Sequence, residues 1–261
     1  MGTDPLPTAA GRPAIAGDAV RPCRVGIVLA LAAEARALTG HTLPPMEVVA
    51  HGDRAMVWLA GMGQDAAREA AQALVEAGAT ALAVFGVAGA LAPGMHSGTL
   101  FCPERIVDQH GVDYVATPDW RASLHDQLEA AGLASRMEGI LLSLPTPLYE
   151  PEAKTSMRDR HQAMAVDMES AGVASVADQH GLPFVVLRAI VDERDDTVPA
   201  ALEAGIDAWG RLRPLPMLAT LARHPGLLGS LPGLATRMRR ATRSLRAAAI
   251  ATGNGLGHEP P

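Results

Sequence analysis

Phenylalanine, tyrosine and tryptophan together supply only 3% of the 261 residues, so a core must be built from the aliphatic side chains and alanine that raise the hydrophobic fraction to 48%. The 26 glycines allow such a core to pack closely, and a chain of this length can bury it as a single domain. Two cysteines, Cys23 and Cys102, are too few for a disulfide framework or a metal site and fit a reducing cytoplasm. No apolar run is long enough to span a bilayer: the longest window, 81–95, is interrupted by Gly86, Gly89 and Pro93. A net charge of -6 argues against a general nucleic-acid binder. Residues 1–22 are rich in Pro, Gly and Ala but lack a basic region followed by an apolar one, so they read as a disordered leader and not a signal peptide. Acid is missing from one whole stretch, Leu212 to His258, where seven arginines accumulate between Arg213 and Arg246 among regularly recurring leucines. That stretch reads either as a solvated basic helix pair packed on the fold or as an amphipathic cationic surface lying against anionic lipid.

What is present is organised around residues 163–194. An apolar run, Ala163 to Val166, breaks at Asp167, Met168 and Glu169; a helix-period stretch follows to His180, and a Gly181-Leu182-Pro183 turn stops it. Phe184 to Val191 then reads as a strand, apolar except for Arg188, ending at Asp192. A strand, crossover helix and strand predict a right-handed parallel unit whose strands finish on one edge. Glu169 and Asp192 therefore meet at the carboxyl edge, where ligands bind in open α/β sheets.

Earlier in the chain, Arg24 to Ala32 reads as a doubly buried strand with Glu34 just past its end. A lone acid there is either a helix-start residue favoured by the macrodipole or a functional group. Glu47 to Asp53 and Ala55 to Leu59 predict a hairpin around His51-Gly52-Asp53. Gly61-Met62-Gly63, opening a helix to about Glu76, raises a dinucleotide fingerprint. That fingerprint wants an acid after the next strand; Ala81 to Phe85 instead runs into GVAGAL over 86–91, which reads as a small-residue loop exposing amide donors. Thr99 to Ile106 is expected as an edge or bulged strand because of Pro103, and a short helix is expected at Ser123 to Ala131. Gly139 to Leu144 reads as a strand, followed by a rigid loop over 145–151 and a charged helix, Glu152 to Arg160.

VGIVLALAAE over 25–34, AGMG over 60–63, GVAGAL over 86–91, AVDME over 165–169 and RAIVD over 188–192 together resemble the purine nucleoside phosphorylase and nucleosidase superfamily. The order and spacing are nearest to its methylthioadenosine/S-adenosylhomocysteine nucleosidase branch. The tail, from GRLRPL at 210–215 through RHPG at 223–226, is similar instead to the hopanoid-associated phosphorylases, or adenosylhopane nucleosidases, which remove adenine from adenosylhopane.

The resemblance implies an α/β fold, three-layer αβα with a central mixed, mostly parallel sheet. It implies a disordered leader at 1–22, a catalytic domain at 23–209, a basic leucine-rich helical extension at 210–250 and a disordered tail at 251–261. It makes Asp192 the acid that protonates or hydrogen-bonds purine N7, a role that requires a carboxyl still partly protonated near neutral pH. Glu34 becomes the group that holds and activates the attacking water. Glu169 would hydrogen-bond the ribose hydroxyls and stabilise developing positive charge, with Met168 packed on the sugar and Asp167 beside it. Gly86, Val87, Ala88 and Gly89 would line the base and nucleophile pocket, and Pro147 and Tyr149 would cover the adenine.

No metal or cofactor is implied, inorganic phosphate being a co-substrate only if it replaces water. Val87 stands where the family often carries serine, removing a hydroxyl contact to phosphate, and Arg36, Arg54 and Arg105 are the candidate phosphate holders. The expected partners are a small-molecule or lipid-linked adenosine and a second subunit in a homo-oligomer, with membrane contact through 211–250. The expected location is the cytoplasm, peripheral at the inner membrane face. The rival readings are a soluble methylthioadenosine/S-adenosylhomocysteine nucleosidase of purine salvage and a catalytically silent purine-binding protein.

Overall fold

A computed structural model of the chain describes residues 24–258; the expected leader at 1–22 lies outside them, as do 259–261. In chain order the elements are β1 Val25–Leu29, α1 Ala32–Thr39, β2 Val49–His51, β3 Ala55–Leu59, α2 Gln64–Glu76, β4 Ala81–Ala90, β5 Leu100–Phe101, β6 Arg105–Asp108 and β7 Asp113–Val115. There follow α3 Pro118–Ala130, β8 Ser135–Arg136, β9 Ile140–Ser143, α4 Pro151–His161, β10 Ala163–Asp167, α5 Ser170–His180, β11 Phe184–Ile190, α6 Pro214–Arg223 and α7 Leu231–Thr252.

The sheet is mixed and mostly parallel, and it sits between two helical layers. One layer is α2 and α5, whose buried alanines, Ala67, Ala70, Ala71, Ala171, Ala174 and Ala177, let the helices approach each other and the sheet. The approach is tight enough that a side chain at Gly172 would overlap the carbonyl oxygen of Gln64. The other layer is α1, α3 and α7, with Trp120, Leu124 and Leu128 meeting Ala241, Leu245 and Ala248 beneath the strands. The near-absence of aromatics is thus answered by small residues at helix crossings.

The sheet is organised by β4. Its first half pairs in parallel with β1 from Ala81 to Val84 and with β11 from Leu82 to Ala88. Its far end, Gly89 and Ala90, pairs antiparallel with β10. Between Val84 and Gly89 one side of β4 therefore has no strand beside it, and the sheet splits there.

Three expectations change. GVAG at 86–89 is not a loop but the interior of a ten-residue strand; its glycines serve close approach, as the site below shows. The segment 163–191 is not a parallel strand–helix–strand unit: β11 runs parallel to β4 and β10 antiparallel to it. The two acids still converge, because both strands finish beside the same stretch of β4. Thr99 to Ile106 is two strands, β5 and β6, interrupted around Pro103, which has no amide to donate.

The C-terminal 48 residues described from 211 divide into unlike parts. α7 buries Ala241, Leu245, Ala248 and Ala249 and turns Arg239, Arg240, Arg243 and Arg246 outward. α6 packs on a 3-10 turn, Ala200–Gly205, with Met217 against Gly205, and leaves Leu215 and Leu218 exposed. Residues 252–258, expected as disordered tail, fold over α3: the Trp120 indole donates to the Leu256 carbonyl at 2.8 Å and the Ser123 hydroxyl to that of Gly257 at 2.7 Å.

Candidate active site

The split in the sheet opens a pocket. Its wall comes from the end of β1, the start of α1, β4 at Val87–Gly89, the 146–149 loop, the end of β10 and Val191–Asp192. Of the residues singled out from the sequence, Glu34, Val87, Ala88, Gly89, Pro147, Tyr149, Asp167, Met168, Glu169 and Asp192 all line it. Gly86 lies just behind the wall, where any side chain would overlap Glu34 Oε1 and the Arg188 guanidinium. A side chain at Gly89 would come within 3.0 Å of the Asp192 carboxylate. Glycine at these two positions is what lets acids press against the strand.

Glu34 is buried, and its helix-start reading from the sequence is seen directly. As the third residue of α1 it accepts from the Leu31 amide at 2.8 Å and the Ala30 amide at 2.9 Å through Oε2, capping the helix start. Its Oε1 accepts the Val87 amide at 2.8 Å, the donor that the split leaves without a strand partner. A carboxylate offers about four acceptor positions, so three amides leave one, on Oε1, for a further ligand. Burial pushes the Glu34 carboxyl up from its ordinary range, against the opposing pull of Arg188 and the three amides. A buried base with raised proton affinity and one open acceptor position is suited to hold and deprotonate a water.

Glu169, at the start of α5, accepts the Gly63 amide at 3.0 Å through Oε1 and the Arg188 guanidinium at 3.2 Å through Oε2. Its proton affinity is raised to about 7, by burial first and by the neighbouring Asp167 and Glu34 carboxylates, with Arg188 working the other way. Asp167 is less a ligand than a strut. It accepts from Arg188 Nε at 2.9 Å and also from Nη2, and takes the Ser170 hydroxyl at 2.5 Å. Arg188, the single polar residue of β11, is thus shared among Asp167, Glu169 and, at 4.0 Å, Glu34.

Asp192 lies at the other end of the wall and is paired with Lys154 of α4, whose ammonium reaches Oδ2 at 2.5 Å. Tyr149 is held over the opening by Val198, which donates to its carbonyl at 2.9 Å. Burial, followed by a hydrogen bond to Glu203, pushes the Tyr149 hydroxyl up to about 12, so it stays a neutral donor. Of the candidate phosphate holders, none lines the pocket. Arg105 is engaged by Asp113, Arg54 donates to the His258 carbonyl, and Arg36 is exposed. Lys154 was not anticipated: in sequence it is one charge in a helix rich in them. Leu31, Met62, Leu148 and Val198 add an apolar rim; Leu31 and Met62 fall inside the quoted motifs, but neither was singled out as a site residue. Among the described residues no group of three or more His, Cys, Asp and Glu is gathered so as to hold a metal.

Residues 24–210 match the family model of the phosphorylase superfamily. The chain belongs to that superfamily. Among curated relatives it is 27% identical over 101 residues to a 5′-methylthioadenosine/S-adenosylhomocysteine nucleosidase of Shewanella halifaxensis, covering 38% of this chain and 44% of that protein. A second, from Shewanella denitrificans, is 28% identical over 95 residues, 36% and 41% of the two. The chain therefore spans less than half the length of the curated relatives it matches. Its fold is similar to that of the Neisseria meningitidis nucleosidase of the same name bound to methylthio-immucillin-A, with a TM-score of 0.62, 17% identity and 88% and 99% of the chains covered. It is equally similar to Helicobacter pylori futalosine hydrolase, with a TM-score of 0.62, 17% identity and 88% and 98% coverage.

Proposed function

We propose that the protein hydrolyses the N-glycosidic bond of a 5′-substituted adenosine, releasing adenine, and that its substrate is adenosylhopane in hopanoid lipid biosynthesis. The observation that carries the reaction is the placing of Glu34, Glu169 and Asp192 around one pocket, with a single acceptor position left open on Glu34. As the bond breaks, positive charge grows on the ribose, where the carboxylates of Glu169 and Glu34 can stabilise it. Asp192 gives a proton to N7 of the departing purine, and Glu34 takes one from the water that attacks C1′. Water is favoured over phosphate because, among the described residues, no Lys or Arg side chain lines the pocket and Val87 offers no hydroxyl.

The lipid-linked substrate is supported by the exposed leucines of the C-terminal segment. Leu212, Leu215, Leu218 and Leu228 are 58–79% exposed, with Arg211, Arg213 and Arg223 beside them. α6 rests on the 3-10 turn whose Glu203 holds Tyr149, so this surface is one layer from the pocket cover. An apolar, cationic face suits the headgroup region of an anionic membrane. We place the protein in the cytoplasm, peripheral at the inner membrane face and in a homodimer. No helix among the described residues is long and apolar enough to cross a membrane.

A second reading, a soluble methylthioadenosine/S-adenosylhomocysteine nucleosidase, is favoured by the names of the curated relatives. Adenine release from methylthioadenosine and from adenosylhopane in detergent, each with and without phosphate, decides between the readings. Phosphate-independent turnover of the lipid substrate is expected. Turnover of methylthioadenosine alone returns the protein to salvage, and binding of adenine without turnover of either leaves a purine-binding protein.

A further inference from the structure

Lys154 is completely buried, the one fully buried residue of a mostly polar helix, and it does not line the pocket. Its ammonium donates to Asp192 Oδ2 at 2.5 Å and to the carbonyls of Glu193 and Asp196, each at 2.9 Å. All three N–H groups are therefore spent on the five residues 192–196. Burying an ammonium is costly unless it is paired and hydrogen-bonded, and two carbonyls alone would hold this loop without a charged partner.

The remaining charges around Asp192 are engaged elsewhere. Glu193 turns to His96 and the Ser97 amide, and Asp196 takes Arg237 of α7 and the Glu193 amide. Across the pocket, Arg188 is shared by Asp167, Glu169 and Glu34. From β4 the backbone at Gly89 comes up against the carboxylate. Among the described residues, Lys154 is the cation that touches Asp192.

We propose that Lys154 is the positioning residue of the acid Asp192: it holds the carboxyl at the base end of the pocket and stabilises the carboxylate left once the proton has gone to the purine. The inference rests on the nucleosidase reading. In that step the Asp192 O–H bond breaks as the purine N7–H bond forms, and the electron pair of the C1′–N9 bond moves into the purine. The resulting carboxylate stays paired with Lys154, whose own N–H bonds remain intact. The ammonium beside the carboxylate makes the proton transfer more favourable.

The test is Lys154→Met, with methylthioadenosine or the lipid substrate, whichever the wild type turns over. We expect kcat to fall about 100-fold with KM little changed, and the alkaline limb of the kcat–pH profile to move to higher pH. Lys154→Arg should restore most of kcat and return the limb. In an Asp192→Asn background, Lys154→Met should cost little more, because its effect passes through the missing acid. A fall in kcat with the limb unmoved, or full additivity with Asp192→Asn, overturns the inference and makes Lys154 a structural residue. An activity-free reading comes from the carbon-13 titration of the Asp192 carboxyl. Its midpoint should be higher in Lys154→Met, or in Lys154→Gln if the methionine variant does not fold; an unmoved midpoint overturns the pairing role. Failure of the wild type to release adenine from any nucleoside would count against the nucleosidase reading, while the titration still judges the pairing.

Discussion

The two ends of the pocket solve the burial of charge in opposite ways. At one end a single guanidinium, Arg188, serves three carboxylates; at the other a single ammonium, Lys154, serves one. The first end is dry and carries an excess of acid: burial raises the proton affinities of Glu34 and Glu169, and at Glu169 the neighbouring carboxylates add to it. The second is balanced. An unbalanced cluster stores unfavourable negative charge that an incoming cation relieves, and in glycosidic cleavage the cation forms on the sugar. A balanced pair favours the ionised carboxylate, and so stabilises the product of a proton transfer more than the proton-holding state that precedes it. The difference is one of stoichiometry more than of residue type.

Removing Arg188 should break the comparison most severely. Arg188→Met leaves three buried carboxylates with no counter-charge and should destabilise the fold by about 3–5 kcal/mol, read by urea unfolding, with adenine release abolished. Glu34→Gln keeps the size and much of the hydrogen bonding at the unbalanced end but removes the proposed base. It should lower kcat by about 10²–10⁴-fold with melting temperature near that of wild type; retained activity would mean that Glu34 is only a helix cap.

The imbalance also has a pH signature. With Glu169 raised from 4.5 to about 7, the folded state binds more protons than the unfolded one between those values. Stability from this group is therefore full below about pH 4.5 and lost as pH rises through about 7. Thermal melts across that window should show the decline, and Glu169→Gln should flatten it; an equally steep decline in the variant would place the excess charge elsewhere. The smallest effect is expected outside the pocket. Leu215→Glu with Leu218→Glu should abolish sedimentation with anionic vesicles while changing turnover of a soluble nucleoside less than about twofold, as surface substitutions do.

The ends of the pocket differed equally in how far they could be read from the chain. Glu169 and Asp192 stood out because each closes an apolar strand with an acid that burial alone does not need. Glu34 was ambiguous, and the structure shows why: the same carboxylate caps α1 and reaches Val87. GVAG was misread as a loop because a glycine needed for a turn and one needed for close approach look the same in one dimension. The parallel unit at 163–191 was misread because its flanking strands meet through β4, which is distant in sequence from both β10 and β11. Lys154 could not have been found locally: its burial depends on the 192–196 loop folding back over it. The layered α/β class, which the resemblance implied, survived these errors because it did not depend on the register of any one strand.

The fold of 252–258 over α3 has an optical consequence. Trp120, 3% exposed, lies with its ring centre 4.3 Å from that of His258. A protonated imidazole at that range quenches indole emission, and burial of His258, followed by repulsion from Arg54, holds its protonation below the ordinary histidine range. With three tryptophans in the chain, a fraction of the intrinsic fluorescence is a built-in reporter of whether residues 252–258 are seated, brightening or dimming with pH only while they are.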